Sequence, residues 1–417
     1  MPPLPDVAPL DIVHVRQQFP ALALKDDGVS RSYLDNPAGT QVPTQVISRT
    51  VDTLTRCNAN LGGYFKTTRD AVALVDAAHQ AVADFYNAAS AEEIVFGQNM
   101  TTLTLHMSRC LARRFKRGDE IILSRMDHDA NVVPWLLLAE DLGLVVRWME
   151  FDTDTYEFPA DALTKILGSK TRLLAMGMAS NCTGTINDVM DFARQAKAAG
   201  ALVFLDAVQF APHESIDVQN LGADFVVSSA YKWFGPHMAA LWGRKEILQE
   251  TFAYKLRPVG EDLPHKFETG TLSHEGMAGC LGAIEYLETL GQGETRVARL
   301  RSAWSSVAAY ERDLTKKLIA DLKPIKGLTI RGITSDNAMH RRVPTVSFTV
   351  DGVDPAKLAQ HFASENIFVW SGHNYALEPI HAMGLADKGG VLRVGLAHYN
   401  TQSEVQSFVS SLKRALT

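Results

Sequence analysis

The chain reads as an α/β protein: a large unit built on a mostly parallel sheet between helices, followed by a smaller C-terminal α+β unit. Three observations predict this. Between residues 93 and 245, short β-rich apolar runs alternate with amphipathic helical stretches, the pattern of a parallel or mixed sheet covered by helices. Most of these runs are continuously apolar and do not alternate, as expected of strands buried on both faces. After Gly291 the texture changes to a long charged helical stretch followed by a different set of strands.

The strands of the first unit are expected at 93–96, 120–124, 144–150, 172–179, 202–206, 225–228 and 239–242. Connecting stretches carry helical spacing. In 188–199, Met190, Phe192, Ala193 and Ala196 fall on one side and Arg194 and Lys197 on the other. The second unit is expected to contain a helix over 294–322, strands at 328–331 and 345–350, and a helix over 355–364. It then continues with a strand at 367–370, a loop rich in His, Asn and Gly, a strand at 391–394 and a final helix from Ser403. The organisation is therefore a large domain over 31–291 and a small one over 292–417, with residues 1–30 packing on the small one. A length of 417 residues suits two or three units.

Composition narrows the function classes. Hydrophobic residues make up 46% and charged residues 21%, so an ordinary folded protein is expected. With 41 basic against 47 acidic residues and no long basic run, nothing is offered to a nucleic-acid backbone. Cys57, Cys110, Cys182 and Cys280 are scattered without metal-ligand spacing, so neither a disulfide framework nor a metal site is expected, and a reducing cytoplasm fits. The first ten residues lack the charged start and apolar core of a signal peptide, and no apolar run approaches the roughly 20 residues that span a bilayer.

In an open α/β sheet, ligands sit beyond the carboxyl ends of the strands, so the residues that follow each strand carry the functional reading. GQNMTTLTLHM places Asn99, Met100 and Thr101 at the start of a helix. Such a terminus suits a phosphate, and the same residues serve a plain helix cap. SRMDHDANVVPW puts His128 just past the next strand, as a cap or as a flat ring that stacks on an aromatic ligand and moves protons. MASNCTGTIND carries Asn181, able to bond a phenolic oxygen, before the turn residue Gly184.

Two further strands are the most informative. One ends in Asp206, with Gln209 close behind; the other runs through Ser228 and Ser229 to Tyr231 and Lys232. A carboxylate beside a pyridine nitrogen keeps that ring protonated and electron-withdrawing, while a lysine amine condenses with an aldehyde. Burial lowers a lysine pKa, which lets the same amine act as a base. Asp206 and Lys232 together therefore point to pyridoxal phosphate (PLP), with Lys232 as its Schiff-base lysine.

From YLDNPAGTQVP near residue 33 to LRVGLAHYNT near 392, the chain resembles the class V aminotransferase group of fold-type I PLP enzymes. Within it, the resemblance is to the SufS-type cysteine desulfurase-like branch. The resemblance implies that Lys232, His128 and Asp206 are catalytic. Gln209 and Asn181 would contact the phenolic oxygen, and Thr101, Ser229 and the Met100 backbone the phosphate, with Tyr231 nearby. Thr271, in FETGTLSH, would reach the phosphate of the other subunit of a homodimer. Arg393 would clamp the substrate α-carboxylate through its planar fork, with Asn36, Trp370, His373 and Tyr375 on the substrate side.

Two departures bear on the reaction. Desulfurases of this branch carry a cysteine in a loop like RTGHHC, whereas this chain has WSGHNYA, with Tyr375 at the cysteine and Trp370 at the arginine. A persulfide needs a thiolate, and the loop supplies none; Cys182 is the one sulfur beside the expected site, and a small buried residue is its other reading. Tyr231 also replaces a histidine before the lysine. The expectation is a lyase in which Lys232 removes the α-proton of an amino acid whose Cβ bears a leaving group such as sulfur, selenium or a sulfoxide. An aminotransferase or epimerase, a desulfurase or selenocysteine lyase with another sulfur acceptor, and a non-catalytic PLP-binding protein are the alternatives. The two aromatic residues suggest a substrate with an apolar or aromatic portion, and simple packing of the small domain is their other role.

Overall fold

The computed structural model describes residues 9–417, so the first eight residues of the expected N-terminal segment lie outside the described residues. Seven strands form the large sheet: β1 (Ile94–Gly97), β2 (Glu120–Ser124), β3 (Val145–Met149), β4 (Thr171–Gly177), β5 (Leu202–Asp206), β6 (Phe225–Ser229) and β7 (Ala239–Gly243). Their spatial order is β1-β7-β6-β5-β4-β2-β3. Only β7 runs against the rest, pairing antiparallel with both β1 and β6.

Alternate residues of each strand feed two separate cores. Phe96, Ile122, Leu174, Met176, Val203, Leu205 and Val226 face helices α1 (Thr44–Arg56), α2 (Lys66–Tyr86), α5 (Val189–Ala198) and α6 (His274–Glu288). Val95, Ile121, Leu123, Leu173, Ala175, Phe204 and Val227 face α3 (Met100–Leu111) and α4 (Val133–Leu142). Strands covered on both sides have no polar face to present, which is why the sequence shows continuous apolar runs. The edge strand β3 is the exception, with exposed and half-buried positions alternating before Met149.

The second sheet is four-stranded, in the order β8-β9-β11-β10, from β8 (Leu328–Arg331), β9 (Thr345–Val350), β10 (Trp370–Gly372) and β11 (Val391–Gly395). Its core is closed by the long α7 (Arg296–Leu322), α8 (Pro355–Ser364) and α9 (Gln402–Ala415), through residues such as Leu318, Leu358, Phe362, Phe408 and Leu412. The single strand expected at 367–370 is divided. Ile367–Phe368 pairs in parallel with Ser32–Tyr33, and Trp370–Gly372 turns away to pair with β11. At the start of the chain, Arg16 donates to the Tyr399 carbonyl at 2.6 Å and to Glu404 at 3.2 Å, tying it to the C-terminal helix. Among the described residues, no helix is long and apolar enough to cross a membrane.

Candidate functional site

Because β1, β2, β4, β5 and β6 run in one direction, their carboxyl ends share one edge of the sheet. The residues that follow them converge there. An inner cavity is lined by Met100 and Thr101 after β1, Asp127 and His128 after β2, and Asn181 after β4. Asp206 and Gln209 at the end of β5, and Ser229, Tyr231 and Lys232 at the end of β6, complete it. It opens into a cleft of about 920 Å³ whose further walls include Pro37, Trp370, His373, Tyr375 and Arg393.

Lys232 is buried at the junction of the two spaces, and its Nζ donates to the Pro37 carbonyl. Burial, reinforced by the Arg393 charge, pulls its pKa from 10.5 to about 7, against the opposing pull of Asp206 and Asp35. A neutral amine is thus available near neutral pH. Burial pushes Asp206 up to about 6, while the Val208 N–H, 2.8 Å from its Oδ1, and the Lys232 charge hold it down. It remains largely ionised at pH 7.

Beside it lies a second buried carboxyl, Asp127. It accepts from the Gly177 N–H at 2.8 Å and from Asn131 Nδ2 at 2.7 Å, and Gly177 is the residue paired with Asp206 across β4 and β5. Burial, with a contribution from the Asp206 charge, raises Asp127 to about 7. Burial also lowers His128 to about 3, helped by Lys232 and Arg393, so its imidazole is neutral. His128 Nδ1 accepts from the Ala130 N–H at 3.0 Å, which leaves the proton on Nε2. Arg393 is buried, and desolvation lowers it to about 10; it stays cationic and donates from Nη1 to the Asn181 carbonyl at 3.0 Å.

Three buried polar atoms here have no partner: Asn181 Oδ1, Gln209 Oε1 and Arg393 Nε. Each leaves a corner aimed at bonding something else. Asn181 Nδ2 donates to the Asn374 carbonyl at 2.8 Å and Gln209 Nε2 to Thr345 Oγ1 at 2.9 Å. Turning the Gln209 amide exchanges its O and N, with the Thr345 hydroxyl then donating, so that its free corner can donate to a phenolic oxygen; Asn181 Nδ2 stays on the Asn374 carbonyl and has a second N–H to offer. At the other end, Asn99 caps α3 by accepting from the Thr102 N–H at 2.9 Å, and the Met100 N–H donates to Ser229 Oγ at 3.0 Å. The Ser229 hydroxyl hydrogen is then free for an anion at the helix N-terminus. An anion seat, two amides, a carboxylate, a flat neutral ring and a poised amine fit PLP in charge and in donor chemistry.

Other expected residues take different places. Tyr231 stacks on His237, with ring centroids 5.0 Å apart and planes 18° apart. Tyr375 stacks on His128 at 5.5 Å and 22°, and its carbonyl accepts from the Asp129 N–H at 2.8 Å. It follows Asn374, and both hold left-handed φ values, 51° and 56°. Trp370 lies opposite Arg393 across β10 and β11. His373 Nδ1 accepts from the Tyr375 N–H at 3.0 Å.

Thr271 is exposed in the loop before α6 and does not line the cleft. Asn36 does not line it either. Its Nδ2 donates to the carbonyls of Tyr33 and Gly395 and to Asn400 Oδ1, and its Oδ1 accepts from Tyr399. With both ends of the amide engaged, Asn36 fixes the Pro37 turn under Lys232 and has no group left for a substrate. Cys182 is fully buried against Ala376, Ile380, Leu385 and Val391, and burial pushes its thiol up to about 12. Among the described residues, no cysteine lines the cleft or the inner cavity.

Two features went unread in the sequence. Asp127 adjoins His128 in MDHDANVV, where an acidic residue is easily taken for a turn signal. Leu105 on α3 and Val133 and Leu137 on α4 line the outer cleft; the i,i+4 spacing of the last two was the available sign.

Comparison with known proteins agrees with this geometry. The family description "Aminotransferase class-V" matches residues 32–408. An aminotransferase-like protein of Gibberella zeae is 33% identical over 97% of this chain and 98% of its own length. A cysteine desulfurase of Yersinia pestis is 32% identical over 97% and 98%, respectively. The apo structure of the cysteine desulfurase of Thermococcus onnurineus superposes with a TM-score of 0.85 at 26% identity, covering 97% of each chain. The chain therefore belongs to the class V aminotransferase family, has the fold-type I architecture, and is a PLP-dependent enzyme related to the cysteine desulfurases.

Proposed function

We propose that this enzyme is a β-eliminating lyase that acts on an amino acid bearing a leaving group at Cβ and does not pass sulfur through a protein persulfide. The observation that carries this reading is the absence of any thiol lining the cleft, with Tyr375 at the loop position and Cys182 sealed as a neutral thiol. A thiolate is the species that accepts sulfur, so no group here stands ready to take it.

In this reading Lys232 would hold the cofactor, and Asp206 would pair with the pyridine nitrogen. Asn181 and Gln209 would bond the phenolic oxygen, Thr101 and Ser229 would hold the phosphate with the Met100 backbone supporting Ser229, and His128 would stack on the ring. PLP, when bound, supplies the electron sink that weakens the bonds at the substrate Cα. Arg393 orients the substrate by its carboxylate. The Lys232 amine, released when the substrate's amine takes its place, would then take the Cα proton, and the Cβ substituent would depart with the bonding pair. Water converts the remaining fragment to pyruvate and ammonium.

Thr271, exposed and outside its own cleft, reaches the phosphate at the partner's site in a homodimer. Sedimentation should give a dimer, and Thr271→Ala should weaken cofactor retention; a monomer that binds the cofactor tightly removes this role.

Pyruvate release, followed with lactate dehydrogenase and no added keto acid, tests the reaction. Product formed from cysteine derivatives, and lost in Lys232→Ala, supports a lyase. Strict dependence on a keto acid acceptor overturns it in favour of an aminotransferase.

A further inference from the structure

The outer cleft combines a buried basic pair, Lys232 and Arg393, with a set of exposed apolar side chains. Leu105, Val133, Pro134 and Leu137 of two helices also line it, together with Trp370, the cross-strand neighbour of Arg393, and Tyr375 from the segment that lacks the cysteine. These are not core residues that happen to touch a cavity. Trp370 and Tyr375 are 52% and 66% exposed, and Leu105, Val133 and Leu137 are 36–38% exposed, on helices that bury other apolar residues. Leu103 and Met107 of α3 and Trp135 and Leu138 of α4 already pack on the sheet. The two helices therefore present a second apolar face, and it faces the cleft.

Charge is sparse on this side: Asp129, His237 and His373 are the other ionisable groups lining the cleft beyond the inner cavity. At about 920 Å³, the space lies near the top of the roughly 300–1,000 Å³ range of pockets for drug-sized ligands. Free cysteine would leave the apolar wall in contact with water.

We propose that Leu105, Val133, Leu137, Trp370 and Tyr375 form a subsite for an apolar group on the substrate's sulfur, so that the substrate class is S-alkyl or S-aryl cysteine. The assignment rests on the lyase reading. The reaction balances without an oxidant or reductant. The Cβ–S bond breaks with its electron pair on sulfur, the Cα proton passes to Lys232, and S-substituted cysteine plus water yields a thiol, pyruvate and ammonium. The thiol retains the apolar group, and no sulfur acceptor on the protein is needed.

The test compares S-methyl- and S-benzyl-L-cysteine with the holoenzyme. Burying the larger group should lower KM at least about tenfold for the benzyl compound, with kcat changing less. Leu137→Asp should abolish that preference and Leu137→Met should keep it, both sedimenting like the parent. Equal KM values for the two compounds, a preference that survives Leu137→Asp, or an altered oligomeric state in Leu137→Asp would overturn the subsite; the last would make the wall an interface between copies. If no compound yields pyruvate, the lyase reading fails separately. Calorimetric binding of the same compounds to Lys232→Ala then decides the subsite alone: tighter binding of the benzyl compound supports it, and equal binding overturns it.

Discussion

Replacing Lys232 by methionine should make the cofactor-free protein more stable, and the gain should depend on pH in a defined direction. The pKa of Lys232 is 10.5 in an unfolded chain and about 7 in the folded one. Between those values the unfolded state binds the extra proton, so folding is disfavoured there and stability rises with pH. At about 1.4 kcal/mol per pH unit, the drop corresponds to about 5 kcal/mol. The penalty is fully present below pH 7 and is gone once pH passes 10.5. Methionine fills similar volume without a charge, so Lys232→Met removes the penalty at every pH. Urea denaturation of the two apo proteins from pH 6 to pH 10 measures the difference. The variant should lead by several kcal/mol at pH 6, and its lead should shrink steadily above pH 7. A variant less stable than wild type at pH 6, or a gap that does not change with pH, would refute the picture of a desolvated lysine disfavoured as a cation.

Three other outcomes follow from the geometry. Arg393→Lys should raise KM by about tenfold or more, because a point charge replaces a planar fork; steady-state kinetics that leave KM unchanged would separate Arg393 from carboxylate binding. Cys182→Ala should leave turnover within about twofold in the pyruvate assay, since its thiol is buried and neutral; loss of activity without loss of fold would return this sulfur to the chemistry. Gly184→Ala should lower Tm, with a cost of about 1–3 kcal/mol or more, because at φ +75° the added Cβ would come within 2.4 Å of the Thr345 carbonyl. An unchanged Tm would show that the loop shifts freely.

Much of this was legible in the sequence, for physical reasons that differ by element. The doubly covered strands announce themselves as unbroken apolar runs, and 120–124 and 202–206 fall where the structure has β2 and β5. The segment 367–370 reads as one strand because its composition is strand-like throughout. The split arises because the Ser32–Tyr33 partner lies more than 300 residues away, and no local pattern encodes that pairing. At the site, the residues after the strands come together around one cavity because the parallel topology gathers them at one edge. Asn36 misled because a buried amide saturated by Tyr33, Gly395, Asn400 and Tyr399 looks, in one dimension, like an available one. Leu105, Val133 and Leu137 escaped notice because an apolar residue on a helix is ordinarily a core residue, and only the structure shows which face it serves.

The pairing of Ser32–Tyr33 with Ile367–Phe368 also governs the order of events on the ribosome. During synthesis, the large sheet can complete its own hydrogen bonds once β7 has emerged, but the strand that precedes it must wait for a partner near the other end of the chain. At roughly 5–20 residues per second, that wait is on the order of tens of seconds. Through that interval Ser32–Tyr33 presents an unmatched backbone edge. Arg16 likewise waits for Tyr399 and Glu404. Nascent chains stalled before residue 367 therefore leave the Ser32–Tyr33 edge unpaired.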